Sequence, residues 1–118
     1  MKITNFSTLI VSKEAESIIK LFEELGFEKH HQNNPAETIS NTTMKDAAGH
    51  QVDVAKVESP QDRTIIRMNV DNFEEAFEFL MSRGFTHPSG RVIETETSKS
   101  AMLVAPSGFA FDLCQHIK

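Results

Sequence analysis

Positions 3–12 are rich in β-branched and aromatic residues, which predicts a strand with Ser7, Leu9 and Val11 on one face and Phe6, Thr8 and Ile10 on the other. The period then changes. Ala15, Ile18, Ile19, Phe22 and Leu25 recur at helical spacing, with Ser12 as N-cap, Glu14 and Glu16 in the first turn and Gly26 to end the helix. Residues 27–37 are polar and read as a short strand running into a loop at residues 32–35. A strand over 39–46, a turn at Ala47-Ala48-Gly49 and a strand over 51–57 complete a β-α-β-β-β unit. Residues 58–62 contain Pro60 and form the linker.

The same order returns afterwards. A strand over 64–70 precedes a helix over 72–83, capped by Asp71 or Asn72, with Phe73, Ala76, Phe77 and Leu80 on its buried stripe and Gly84 at its end. A loop at residues 87–90, a strand over 92–97, a turn at Ser98-Lys99, a strand over 101–105 and a last strand over 109–114 follow. The repeat is visible in the residues themselves. Leu25-Gly26-Phe27 returns as Arg83-Gly84-Phe85, and Gly49 followed by Val52-Asp53-Val54 returns as Gly108 followed by Phe111-Asp112-Leu113. The offset is 58 residues at the Gly-Phe pair and 59 at the Asp residues; 59 also relates the strand ends Val11 and Val70. The 118 residues therefore read as one domain, 1–118, made of a repeat over about 1–58 and another over about 63–118.

Each strand divides into two sets of side chains. One set is apolar throughout: Leu9 and Val11, Val52 and Val54, Ile66, Met68 and Val70, Phe109, Phe111 and Leu113. It is expected beneath the two helices. The other is mixed: Phe6, Thr8 and Ile10; Gln51, Asp53 and Ala55; Ile65, Arg67 and Asn69; Ala110, Asp112 and Cys114. Charges among apolar residues suit a wet concavity better than a dry core, where each unpaired charge costs several kcal/mol. This predicts an α+β protein with a curved, cup-like mixed sheet, helices on its outer face and a ligand pocket on its inner face. The alternative is an ordinary exposed sheet in which Arg67 pairs with Asp53 or Asp112.

Composition narrows the function classes. Seventeen acidic against twelve basic residues, a net charge of −5 and no basic cluster argue against nucleic acid. No apolar run approaches a membrane span, no signal-peptide pattern opens the chain and Cys114 is the only cysteine, which predicts a cytoplasmic protein with no membrane partner. Among other chemistry-bearing residues, adjacent His30 and His31 face opposite ways on a strand, and His50 and His87 lie in turns. Cys114 sits beside Asp112, where the local charge does not favour a thiolate; His116 continues the inner face and could donate across a dimer interface.

Paired β-α-β-β-β units, the Gly26-Phe27 and Gly84-Phe85 helix ends, and the Pro106-Ser107-Gly108 turn before Phe111-Asp112-Leu113 together resemble the vicinal oxygen chelate superfamily, which includes glyoxalase I, the bleomycin-resistance proteins and the extradiol dioxygenases. In its metal-dependent members, a His, Gln or Glu of the first strand and a carboxylate of the last strand of each unit converge on a divalent cation. Counting from Val11 and Val70 carries these positions onto Phe6, Ile65, Asp53 and Asp112. Phe and Ile donate no lone pair, and two Asp carboxylates make a poor cage for zinc or nickel. The resemblance therefore implies a metal-free member with no cofactor, a homodimer that sequesters a small organic molecule. Its ligand-binding residues would be Phe6, Thr8, Gln51, Asp53, Ile65, Arg67, Asn69, Asp112 and Cys114. Two other readings are a glyoxalase-type lyase or isomerase, or dioxygenase-like enzyme, that recruits metal through Asp53, Asp112 and His116 or uses Asp53 as a base, and a non-catalytic interaction module.

Overall fold

The structure, a computed structural model, describes residues 1–33, 40–58, 60–94, 96 and 98–116. Two compact units emerge: Ser7–Thr64, and Met1–Phe6 together with Ile65–Lys118. The chain forms β1 (Ile3–Ser12), α1 (Ala15–Glu24), β2 (Glu28–Asn33), β3 (Ser40–Lys45) and β4 (Gln51–Lys56), then β5 (Arg63–Val70), α2 (Phe73–Ser82), β6 (Ile93–Glu94), β7 (Ser98–Val104) and β8 (Ala110–His116). The protein is α+β, with the β-α-β-β-β order present twice.

In the Ser7–Thr64 unit, β1 runs parallel to β4, while β3 is antiparallel to both β4 and β2. The helix stripe predicts the packing. Ala15 and Ile19 of α1 are buried with Met44, Val52 and Val54, and Ile10, Ile18, Phe22 and Phe27 pack around them. Leu25 lies outside this stripe and is 64% exposed, because the helix ends at Glu24 and Leu25 is its C-cap. Gly26 follows at φ 108°, a conformation that only glycine adopts without strain.

The start of α1 departs from expectation. Glu14, not Ser12, is the N-cap, and its side chain makes no cap hydrogen bond. Ser12 is instead a buried link: its Oγ accepts from the Glu14 N–H at 2.9 Å and donates to Asp62 Oδ1 at 2.7 Å. The expected loop at 32–35 begins later than expected, since Gln32 and Asn33 still pair with Thr42 and Asn41 as the end of β2; residues 34 and 35, with the first residue of the expected 39–46 strand, lie outside the described residues.

In the other unit, β5 runs parallel to β8, and β7 is antiparallel to both β8 and β6. Phe73, Ala76 and Leu80 of α2 bury against Met68, Val70, Ala101, Leu103 and Leu113, with Phe77, Phe85 and Phe111 at the margin. Asn72 is the N-cap, and its Oδ1 accepts from the Glu75 N–H at 3.1 Å. The N-terminal residues join this unit through a reciprocal pair of hydrogen bonds: Lys2 N–H donates to the side-chain Oδ1 of Asp71 at 2.7 Å, and Asp71 N–H donates to Lys2 O at 3.0 Å.

Ser98 and Lys99 are strand, not turn. The β7–β8 ladder continues to Ser98 opposite His116, extending both strands beyond the expected 101–105 and 109–114. Lys99 is held there from the side as well, since its ammonium pairs with Glu74 and lies 5.3 Å from the Phe73 ring centroid. That pairing lowers the Glu74 pKa and raises that of Lys99. The expected 92–97 strand shrinks to the two residues of β6, with Thr95 and Thr97 outside the described residues.

The two turns that precede β4 and β8 close with the same hydrogen bonds. Gly49 N–H donates to Asp46 O at 3.1 Å and Gly108 N–H to Ala105 O at 2.9 Å, while Asp46 and Ala105 N–H donate to the carbonyls of His50 and Phe109. Both glycines have positive φ. The first turn gains an Asp side chain, whose carboxylate accepts from the Ala48 and His50 N–H groups and contacts His50 Nδ1 at 2.8 Å. The His50 side chain is the first cause of a lowered Asp46 pKa.

Leu113 is fully buried at the centre of the α2 cluster. Leu113→Ala is expected to destabilise the fold by about 2–5 kcal/mol in urea unfolding, through lost burial and the cavity left behind. Exposed Leu25→Ala should change stability by about 0.5 kcal/mol or less.

Candidate functional site

Strand register decides which side chains share a face. In the Ser7–Thr64 unit, Thr8 lies beside Val52 and Ile10 beside Val54, so Thr8 and Ile10 share the face that carries α1. Leu9 lies beside Asp53 and Val11 beside Ala55, on the face turned away from the helix. This reverses the expectation for β1. Leu9 and Val11 leave the helix-facing set, and Thr8 does not share a face with Asp53. Phe6, which precedes Ser7 in the strand, points the opposite way to Ser7 and is 56% exposed. A one-residue difference in register exchanges every side chain between faces.

Ser7 takes the place expected for Phe6. Its hydroxyl donates to Asp53 Oδ2 at 3.0 Å, and Gln51 Nε2 donates to Asp53 Oδ1 at 3.1 Å. Asp53 is only 2% exposed, so these two donors act where an unpaired carboxylate would cost several kcal/mol. Thr43 lies opposite Asp53, and Asn41 opposite Ala55, on the same face. The Asn41 Oδ1 atom is buried and accepts no hydrogen bond from the described residues.

In the second unit the division of faces agrees with the sequence. Ile66, Met68 and Val70 lie on the helix side with Phe111 and Leu113, and the alternate positions Ile65, Arg67, Asn69, Asp112 and Cys114 face away. Arg67 lies beside Asp112 in the register, and its Nε donates to Asp112 Oδ2 at 2.9 Å. Both side chains are mostly buried, 13% and 17% exposed. Asn69 lies beside Cys114, and both are buried. The Asn69 Oδ1 atom accepts no hydrogen bond from the described residues. Met102 and Ser100 of β7 lie opposite Asp112 and Cys114, extending this face.

The two registers also align the units with each other. Leu9 pairs with Asp53 as Arg67 pairs with Asp112, so the first strands correspond at an offset of 58 and the last strands at 59. The position equivalent to Ile65 is therefore Ser7. The signal was in the chain: Gly26 and Gly84 are also 58 apart, and that offset leads from Ile65 to Ser7.

Glyoxalase I from Zea mays, as its V278E mutant, matches over 98% of this chain and 44% of its own, with a TM-score of 0.69 and 14% identity. A glyoxalase/bleomycin resistance protein/dioxygenase superfamily member from Vibrio splendidus 12B01 matches over 96% and 98%, at 0.62 and 18%. Methylmalonyl-CoA epimerase from Mycobacterium tuberculosis matches over 96% and 88%, at 0.67 and 13%. The fold is the glyoxalase fold. This chain spans less than half the length of the maize enzyme. No family model and no curated protein matches the sequence.

The first- and last-strand positions singled out in the sequence as candidates for cation ligands hold residues that fit a cation poorly. Ile65 has no donor atom. Ser7 offers only a neutral hydroxyl, a weak ligand for zinc or nickel, and Asp112 already holds a guanidinium. Among the described residues, no group of three or more His, Cys, Asp or Glu side chains is arranged to hold a metal ion. His116, expected to extend the inner face, lies opposite Ser98 at the exposed end of β8.

Two surface clefts lie away from these faces. One, of about 170 Å³, is lined by Phe73, Glu74, Phe77, Glu78, Val92 and Lys99. The other, of about 380 Å³, is lined by Lys13, Glu14, Glu16, Ser17 and Lys56 at the start of α1. Neither contains the polar groups that the strands bring together. No described helix is long and apolar enough to cross a membrane.

The Arg67–Asp112 pair gives a direct test of this geometry. Arg67→Gln should lower stability by about 3 kcal/mol, because it strands a mostly buried carboxylate, whereas the double variant Arg67→Met/Asp112→Leu should lose far less. A double-mutant cycle by chemical unfolding reads the coupling, and additive losses would show the two groups to be independent.

Proposed function

We propose that this protein binds a small organic molecule without a metal ion, using the polar positions of the strand faces turned away from its helices. The observation that carries the reading is the fate of the two last-strand carboxylates. Asp112 is engaged by Arg67 and Asp53 by Ser7 and Gln51, so the groups best suited to hold a cation are already hydrogen-bonded within their own units. Arg67 brings a permanent positive charge to within 2.9 Å of one of them, and a divalent cation there would have to displace it or accept its repulsion.

The residues that face away from α2 form the ligand-contacting set in this reading: Ile65 and Met102 supply apolar contact, Arg67, Asn69 and Asp112 polar contact. Gln51 and Asp53, with Ser7 in place of Phe6, supply the equivalent polar set in the other unit. Proteins named as a glyoxalase, an epimerase and a glyoxalase/bleomycin resistance protein/dioxygenase superfamily member share the fold, which agrees with a small-molecule role. Sequestration accounts for these residues better than catalysis does, since both Asp53 oxygens already accept hydrogen bonds and a base needs one open to substrate.

The protein acts as a homodimer in this reading. The maize glyoxalase I chain is more than twice the length that this chain matches, so two copies approach the size of that single chain. Sedimentation equilibrium should return twice the monomer mass, and a monomer at micromolar concentration would remove this part of the proposal.

Metal independence is tested by thermal unfolding of chelator-treated protein with and without Zn²⁺, Ni²⁺, Mn²⁺ and Fe²⁺, accompanied by elemental analysis of the protein as purified. No ion should raise the midpoint, and no ion should be present in stoichiometric amount. A ligand present at a hundred times its Kd stabilises by about 2.7 kcal/mol, so a site of even modest affinity would be visible. Stoichiometric metal with a raised midpoint would overturn the reading in favour of a glyoxalase-type enzyme.

A further inference from the structure

Asn69 stands out among the buried polar groups of the second unit. Its side chain is 7% exposed, yet Oδ1 accepts no hydrogen bond from the described residues. A buried acceptor left without a donor loses the hydrogen bond it would make with water and gains nothing in return. Asn69 sits two residues after Arg67 in β5, on the same face, with Cys114 beside it in β8 and Asp112 one pleat away. Leucine or valine would fill such a position without that cost. An amide oxygen kept there unpaired is suited to meet a donor that arrives with a ligand.

We infer that the ligand of this face carries a neutral hydrogen-bond donor, an N–H of the amide or lactam class, which it gives to Asn69 Oδ1. The inference rests on the small-molecule reading above and narrows it. The charge of the neighbouring groups sets the class. The Arg67 guanidinium is matched by the Asp112 carboxylate at 2.9 Å, so this pair offers no uncompensated cation to recruit a carboxylate ligand. A ligand acceptor placed against Oδ1 would meet another acceptor, which disfavours carboxylates and ethers at this point. Ile65 and Met102 on the same face give apolar surface for the remainder of such a molecule.

The test uses two probes that differ only in the donor: benzamide and N,N-dimethylbenzamide, which share a ring and a carbonyl. Each is titrated into uniformly ¹⁵N-labelled protein and followed by amide correlation spectra. Benzamide should shift the Asn69 side-chain NH₂ signals and the Cys114 backbone signal, and bind about tenfold more tightly than the dimethyl probe, as expected for one hydrogen bond of about 1.4 kcal/mol. In Asn69→Leu the preference should fall to near unity, and the wild-type comparison stands by itself should that variant not fold. Equal binding of both probes at these signals would overturn the donor inference and leave the small-molecule reading intact. If neither probe moves these signals up to its solubility limit, both the inference and the placement of the ligand on this face are overturned.

Discussion

Within each unit the first strand runs parallel to the last, and everything that follows depends on the register of that pair. Leu9 beside Asp53 and Arg67 beside Asp112 fix which side chains meet on the face without a helix. The helices then have no freedom to choose a face. α1 covers Val52, Val54 and Met44, and α2 covers Met68, Val70 and Leu113, because those are the apolar sets the registers leave on one side. The same registers bring Ser7 to Asp53 and Arg67 to Asp112 on the other. Core and polar cluster are two outcomes of one pairing.

The two units use that common frame differently. In one, a serine hydroxyl and a glutamine amide donate to a nearly inaccessible carboxylate; in the other, a guanidinium does so for a carboxylate of somewhat greater exposure. Leu9 and Arg67 occupy equivalent positions, as do Ser7 and Ile65, so polar and apolar residues change places between the two first strands. A guanidinium is planar, permanently charged and presents several donors, which makes it a lasting partner for a carboxylate. The duplication thus preserved the backbone frame more strictly than the chemistry mounted on it.

Much of the fold could be read from the chain, for identifiable reasons. Both helix stripes have the 3.6-residue period, both helices are followed by a glycine of positive φ, and Gly49 and Gly108 mark equivalent turns. The second unit's faces were legible because Arg67 and Asn69 alternate with Ile66, Met68 and Val70, leaving one choice of register. In β1 the run Leu9-Ile10-Val11 is apolar on both faces, so alternation could not choose between them, and the strand end suggested an offset of 59 where 58 holds. Phe6 and Thr8 were misplaced and Ser7 missed for that single reason. The Ser98-Lys99 strand was hidden for another: two small or charged residues look like a turn, and only the long β8 ladder and the Glu74 partner hold them extended.

The polar faces also explain why a fold shared with glyoxalase I and an epimerase does not by itself carry an activity to this chain. The frame supplies positions, and what stands at them decides the chemistry. Here the first-strand positions hold a branched alkane with no donor atom and a neutral hydroxyl, a weak ligand for zinc or nickel beside the imidazoles that such ions favour. A cation at either carboxylate would compete with the donors already there, Arg67 at Asp112 in one unit and Ser7 and Gln51 at Asp53 in the other. Breaking a buried pair costs about 3–5 kcal/mol, so a cation that displaced Arg67 from Asp112 would begin from a deficit. A neutral organic molecule meets no such barrier. In the binding mode proposed above, such a molecule would lie against Ile65 and Met102 and give one hydrogen bond to Asn69 while the Arg67–Asp112 pair stays in place, so the guest it calls for brings a donor rather than a charge.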